Sequence, residues 1–116
     1  MKIINLENVP KVKADMPGAK DTYKQVPISK ADGSSLFSFR VFTIEPRGHT
    51  PFHDHPFEHL NYIINGHGAI VAEDHSEHRI KKGDFALVLS NEKHQYRNDS
   101  NDEPLILICA VEKDYE

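Results

Sequence analysis

The chain has 116 residues, a net charge of −4 and a single cysteine, Cys109. Its length suits one domain that buries a core without disulfides, and the lone cysteine excludes an internal disulfide framework and fits the cytoplasm. The acidic balance argues against nucleic acid, and no stretch approaches a signal peptide or the ~20 apolar residues of a membrane span. We therefore expect one domain over residues 1–116, with neither nucleic acid nor membrane as a partner.

The N-terminal thirty residues are interrupted by Pro10, Pro17, Gly18 and Pro27. Prolines and glycines break regular secondary structure, so this stretch is predicted to be irregular. It is expected either to wrap around the domain or to contact a second subunit.

The rest of the chain alternates apolar and polar residues in short runs that end at turn signals. This pattern predicts β-strands and no amphipathic helix. The predicted strands are 36–44, ending at Glu45-Pro46-Arg47-Gly48; 60–65, closed by the hairpin-type dipeptide Asn65-Gly66; 69–73; 85–89; and 104–111. The fold class is all-β, in a closed barrel or a dimer that protects its edges.

Four histidines stand at positions where strand geometry brings them together. His53 and His55 are two residues apart and share one face of an extended segment. After the turn at Pro56, His59 opens the next strand, and His94 follows a second turn 35 residues later. Neighbouring strands thus direct several imidazoles to one end of the domain.

Converging imidazoles indicate a metal ion. As cations they would repel each other, and as neutral buried rings they need partners. Imidazole suits zinc, iron, nickel and copper and is compatible with manganese. We therefore predict one divalent transition metal per chain.

Two segments carry motifs of a known family. Residues 48–66 resemble the first cupin motif, with His53-x-His55, then His59, then Gly66 six residues later. Residues 83–98 resemble the second motif through Gly83, His94 and Asn98. The resemblance implies a cupin fold, a double-stranded β-helix related to the jelly roll, and, as in small cupins, a homodimer.

The chain departs from these motifs at informative places. Leu89 and Asn91 replace the proline and glycine of the second motif, and asparagine tolerates the left-handed conformation. His59 stands where the family usually has glutamate, with Glu58 as the rival ligand one position earlier. The spacing to Gly66 favours His59. The set His53, His55, His59 and His94 resembles that of small manganese-binding cupins with four histidines.

A four-histidine site leaves the charge of the metal unneutralised, which favours an anionic ligand. Four histidines would saturate a tetrahedral zinc, so manganese or iron is favoured, with nickel, copper or zinc as alternatives.

Alternation places Asn61 beside His59 and Tyr96 beside His94. If, as the resemblance suggests, the face of Arg40 and Phe42 looks inward, Arg40 is a candidate for binding a carboxylate; the alternative is an exposed charge. Leu107, Cys109 and Val111 are expected on the opposite wall.

Three functions fit these features. The first is a metal-dependent, oxygenase-type (dioxygenase-like) enzyme that acts on a small, anionic molecule. The second is a non-redox, metal-dependent isomerase or lyase of a sugar or uronate-like acid. The third is a non-catalytic module that binds a small molecule. The barrel hosts many chemistries, so fold does not decide among them.

Overall fold

The computed structural model describes all 116 residues and is built almost entirely of β-strands. The strands are β1 (Val12–Lys13), β2 (Lys20–Ile28), β3 (Phe37–His49), β4 (His59–Asn65), β5 (His67–Ala72), β6 (Glu77–Lys81), β7 (Phe85–Val88), β8 (His94–Arg97) and β9 (Leu105–Glu112). Three short 3-10 turns, Leu6–Asn8, Lys30–Asp32 and Lys113–Tyr115, complete it. The predicted all-β class is confirmed. No helical segment has the length and apolar character to cross a bilayer.

The strands form one curled, antiparallel sheet in the order β6-β5-β8-β3-β9-β4-β7, to which β2 and β1 add at β3. Strand β3 joins the two halves. Its first eight residues pair with β9, and its last residue, His49, pairs with Arg97 of β8. The curl brings β4 and β8, which open with His59 and His94, to the same end of the sheet.

The end predicted for β3 at residues 45–48 is wrong, because the strand bends there and continues to His49. Arg47 adopts a positive φ of 66°, and a side chain at Gly48 would lie 2.6 Å from the carbonyl oxygen of Lys20. The Pro-Arg-Gly sequence thus permits a bend and a close strand contact. That bend allows one strand to serve both halves of the sheet.

The irregular N-terminus expected from the sequence contains a nine-residue strand, β2. It pairs with β3 from Lys20↔His49 to Ile28↔Phe39, with two register shifts. Pro27 lies inside β2, beside the second shift, where a missing N–H is tolerated. The second part of this region is therefore regular and belongs to the sheet.

Gly66 does not close a hairpin between its flanking strands. It has φ +82°, and β4 and β5, on either side of it, pair with other strands. A Cβ at this position would lie 2.3 Å from the carbonyl oxygen of Pro104. The turn therefore carries the chain from one half of the sheet to the other, and the hairpin prediction is wrong.

The core lies on the inner face of the curled sheet. Its largest fully buried side chains are Ile44, Ile63, Leu105, Leu107 and Val111. The expectation that Leu107 and Cys109 face β3 from the opposite wall is wrong, because β9 is hydrogen-bonded to β3. Phe42 pairs with Leu107, and Arg40 pairs with Cys109. These residues form adjacent parts of one wall.

Candidate metal centre

The loop that carries His53 and His55 is held against the start of β8. The backbone N–H of His53 donates to the carbonyl of His94 at 3.1 Å, and the N–H of His94 donates back at 2.9 Å. In an antiparallel pair of this kind the two side chains lie on the same face. The N–H of Asn91 donates to the carbonyl of His55 at 2.7 Å and holds the loop a second time.

Asn91 has a φ of +63°, the left-handed conformation that the sequence allows for asparagine. The turn before β8 is therefore formed without the glycine usual in the second motif.

Three of the four predicted ligands form a close group. One ring nitrogen from each of His53, His55 and His94 lies within 4.8 Å of the others. This cluster has the composition and spacing to bind a metal ion.

Hydrogen bonds determine which nitrogens face the group. The Nδ1–H of His55 donates to the carbonyl of Phe57, and that of His94 donates to the carbonyl of Glu92, both at 2.7 Å. A carbonyl oxygen only accepts, so the proton of each ring lies on Nδ1 and the Nε2 lone pair is free. Metal-binding histidines are oriented by such contacts in general.

His59 lies beside this group rather than within it. The side chain is buried, and its Nε2 is 3.3 Å from Nε2 of His94. Two nitrogens that share an ion at ~2.1 Å stand ~3.0–3.4 Å apart, depending on the coordination angle. Without an ion, the Nε2–H of His59 donates to the Nε2 lone pair of His94, because the proton of His94 lies on Nδ1. The separation and the donor chemistry therefore fit a divalent ion shared by His59 and His94.

Burial favours the neutral form of His53, His59 and His94. Desolvation lowers the pKa of His59 to about 3, and the nearby His94 and His55 add to the effect. Burial, followed by the proximity of His55, also lowers the pKa of His53, and burial lowers that of His94. Neutral imidazoles with free lone pairs are the form that binds metals.

Glu58, the rival ligand, lies outside the cluster. It is exposed and lines a separate surface groove, whereas His59 lines the cavity with the other three histidines. Adjacent residues of an extended chain point to opposite sides, so only one of the pair faces inward.

The histidines line a cavity of about 260 Å³. This is slightly below the range of ~300–1,000 Å³ typical of small-molecule sites. The pocket candidates Arg40, Asn61 and Tyr96 all line it, as do Phe42, Leu107 and Cys109. The cavity thus has a histidine cluster, an apolar wall and three further polar side chains.

Asn61 connects two of the polar groups. Its Nδ2 donates to the hydroxyl oxygen of Tyr96, and its side-chain amide contacts Nδ1 of His59. Both Asn61 and Tyr96 are only 2% exposed, and burial raises the pKa of the Tyr96 hydroxyl. Tyr96 is therefore a neutral phenol.

The cavity is also lined by Phe57, Met16 and Thr50, which were not predicted from the sequence. The Phe57 ring stacks on His55, with centroids 4.0 Å apart, and on Tyr115, with centroids 4.2 Å apart. Phe57 and Met16 lie in loops, where strand alternation gives no information about direction. The pairing of the C-terminal Tyr115 with Phe57 has no local sequence signal.

Comparisons with known proteins support the fold. A family model of the cupin domain matches residues 40–111, more than half of the chain. The polyketide cyclase RemF from Streptomyces resistomycificus has a TM-score of 0.91 and 25% identity, over 97% of this chain and 79% of that chain. A cupin 2 domain-containing protein from Halorhodospira halophila has a TM-score of 0.72 and 26% identity, over 78% of this chain and 63% of that one.

A third structure, described as a predicted oxalate decarboxylase from Thermotoga maritima, has a TM-score of 0.81 and 20% identity. The match covers 96% of this chain and 99% of that chain. No curated protein matches the sequence. The predicted double-stranded β-helix fold is confirmed by these similarities.

Proposed function

The chain belongs to the cupin family, and from this premise we propose that it is a metal-dependent enzyme that acts on a small, anionic molecule. The observation that carries the proposal is the cluster of His53, His55 and His94 at the wall of a cavity, with free Nε2 atoms on His55 and His94.

We propose His53, His55, His59 and His94 as the ligands of one divalent ion, manganese or iron before nickel, copper or zinc. None of the four carries a negative charge, so an anionic ligand is needed to neutralise the centre. When bound, such an ion supplies an electrophilic centre that stabilises negative charge on a carboxylate or enolate.

Tyr96 is positioned to hold a proton for the substrate. Its hydroxyl oxygen accepts from Asn61 Nδ2, so its own O–H remains available to donate into the cavity. Since burial raises the pKa of Tyr96, this proton is retained at neutral pH. Asn61 fixes the orientation of both the phenol and the His59 ring.

Oxygenase-type chemistry is the first candidate reaction. An ion that takes six ligands would be held by the four histidines and would have two positions left, either for a chelating substrate or for a substrate and dioxygen. Non-redox chemistry is the second candidate, and a specific observation favours it. The polyketide cyclase RemF, at 25% identity, matches 97% of the chain with a TM-score of 0.91.

One set of measurements tests the proposal. Protein prepared without an affinity tag is analysed for metal, then loaded with manganese or iron and offered keto acids, diketones, catechols and uronates with and without oxygen. We expect stoichiometric metal and turnover of at least one acid. Oxygen uptake supports the oxygenase, and equal turnover without oxygen supports the isomerase, lyase or cyclase class.

The matched control is His78→Ala. It removes an exposed histidine on the edge strand β6, which is separated from β8 by β5. It should retain metal, whereas His53→Ala and His94→Ala should lose it. Protein that binds no metal would contradict the proposal, and ligand binding without any product would favour the non-catalytic module.

A further inference from the structure

Arg40 lines the cavity with an incomplete set of hydrogen bonds. Its Nε is the only buried side-chain nitrogen or oxygen in the protein that has no hydrogen-bond partner. Buried N–H groups are almost always paired, because an unpaired one has lost its hydrogen bonds to water without replacement. The Nε–H of Arg40 therefore lacks a hydrogen-bond acceptor within the protein.

The partners that Arg40 does have are poor ones for a cation. Nη2 lies 3.0 Å from the thiol sulfur of Cys109, a weak acceptor, and Nη1 donates to the backbone carbonyl of Tyr115 at a long 3.3 Å. The guanidinium also stands 5.1 Å from the centre of the Phe42 ring, a weak cation–π contact. None of these contacts neutralises its charge.

No carboxylate compensates Arg40. The four ion pairs of the protein involve Lys2, Arg79 and Arg97. Lys24 is a second cation close to Arg40. Its pKa is lowered first by burial and then by the charge of Arg40. The carboxylate of Glu116 acts on Lys24 through its charge, but its hydrogen bonds go to Ser38 and to the N–H of Lys30. Arg40 thus gives the cavity a positive charge that no carboxylate offsets, and Lys24 adds a second positive charge behind its wall.

From this arrangement we propose that Arg40 binds the carboxylate of a small carboxylic acid with an apolar body. Rotation of the guanidinium turns its Nε–Nη2 edge to the carboxylate, which accepts two parallel hydrogen bonds and takes the place of the thiol. Phe42, Leu107 and Met16, which line the same cavity, contact the apolar body. Within the proposed function, the other end of this acid faces the histidine cluster.

The volume and the charge together limit the ligand. A cavity of about 260 Å³ accepts a molecule of roughly one ring with its substituents. A neutral sugar would leave the Arg40 charge uncompensated. The inference therefore favours small aromatic or branched monocarboxylic acids over the uronate-like acids of the second sequence hypothesis.

Benzoate and its neutral analogue benzamide test the proposal by calorimetric titration. In metal-free wild-type protein, we expect benzoate to bind at least about tenfold more tightly than benzamide, a difference of ~1.4 kcal/mol. In Arg40→Gln, the two should bind within about twofold of each other. Arg47→Gln, which changes an exposed arginine on the same strand, should keep the wild-type preference.

Arg40→Lys is the second variant, because it keeps the charge but loses the planar pair of donors. It should fold even if the glutamine variant does not, and its preference for benzoate should fall below that of the wild type. Equal affinities in the wild type, no benzoate binding, or a full preference in Arg40→Lys or Arg40→Gln would overturn the proposal.

The metal-free titration separates this inference from the proposed function on which it rests. A preserved benzoate preference in protein that binds none of the proposed metals would refute the metal enzyme but not the role of Arg40. Manganese binding without any preference for benzoate would refute the role of Arg40 alone.

Discussion

His59 and Glu58 are consecutive residues with opposite surroundings, and they determine the number of histidines around the proposed ion. His59 is 5% exposed and reaches His94, whereas Glu58 is exposed on the other side of the strand. His59 nevertheless lies outside the compact group of the other three. Its contribution to metal binding is therefore the most informative one to measure.

We expect His59→Ala to weaken manganese binding by at least about tenfold, because it removes one of four neutral donors. Glu58→Ala should change the affinity by less than about threefold, since its carboxylate does not reach the cavity. Competition titration against a chelator of known affinity measures both. A larger loss in Glu58→Ala would show that the carboxylate is the fourth ligand and that the loop rearranges when metal binds.

At the scale of strands, the sequence predicted what depends on alternation. The two-residue period of β4, β8 and β9 placed His59 beside Asn61, His94 beside Tyr96, and Leu107 beside Cys109, and each pair shares the inner face in the structure. A strand whose faces differ in polarity reveals its orientation without any knowledge of its neighbours.

What the sequence did not predict depends on pairing between distant segments. Strand β2 was not predicted because Pro27 and its polar residues are typical of a loop, and its partner residues lie in β3. The strand end at Arg47 and the hairpin at Gly66 were predicted wrongly. A glycine indicates a turn, but it does not indicate which strands lie on either side of that turn in the sheet. The adjacency of β3 and β9 likewise cannot be read from either strand alone.

Gly68 marks another contact between segments that are distant in sequence. It lies in β5, where an added Cβ would stand 2.3 Å from the carbonyl oxygen of Arg97 in β8 and 3.0 Å from Leu105. The backbone oxygen cannot move without disturbing the β5–β8 ladder that ends at His94. We expect Gly68→Ala to lower the free energy of unfolding by about 3 kcal/mol through overpacking.

Gly33→Ala is the matched control, because a Cβ at Gly33 meets no atom within 4 Å. Its φ of +92° is unfavourable for alanine, so we expect a loss of about 1 kcal/mol. Urea denaturation of both variants gives the comparison. Equal losses would mean that β5 and β8 are farther apart than the structure has them.

At the scale of the molecule, the outer face of the sheet is unusually apolar. Leu60 pairs with Leu87 on one side and with Ala110 on the other, and Ala110 pairs with Phe39. This row crosses four strands, and Phe37 and Phe85 extend it. Its five large side chains are 44% to 82% exposed: Phe37, Phe39, Leu60, Phe85 and Leu87. A continuous apolar surface of this kind is typical of an interface. The homodimer predicted from the sequence therefore has a better site here than at the N-terminus.

We expect the wild-type chain to elute as a dimer of twice its 13.2 kDa mass in size-exclusion chromatography with light scattering. The double variant Leu60→Lys/Leu87→Lys should be monomeric at the same concentration, because two facing charges cannot be buried without partners. Both side chains are more than half exposed, so the monomer should keep its fold and its circular dichroism spectrum. Ile3→Lys/Val12→Lys, at N-terminal positions that are more exposed than Leu60 and Leu87, is the control and should remain dimeric. If the N-terminal variant dissociates and the sheet variant does not, the N-terminal segment is the dimer arm after all; a monomeric wild type would contradict both sites.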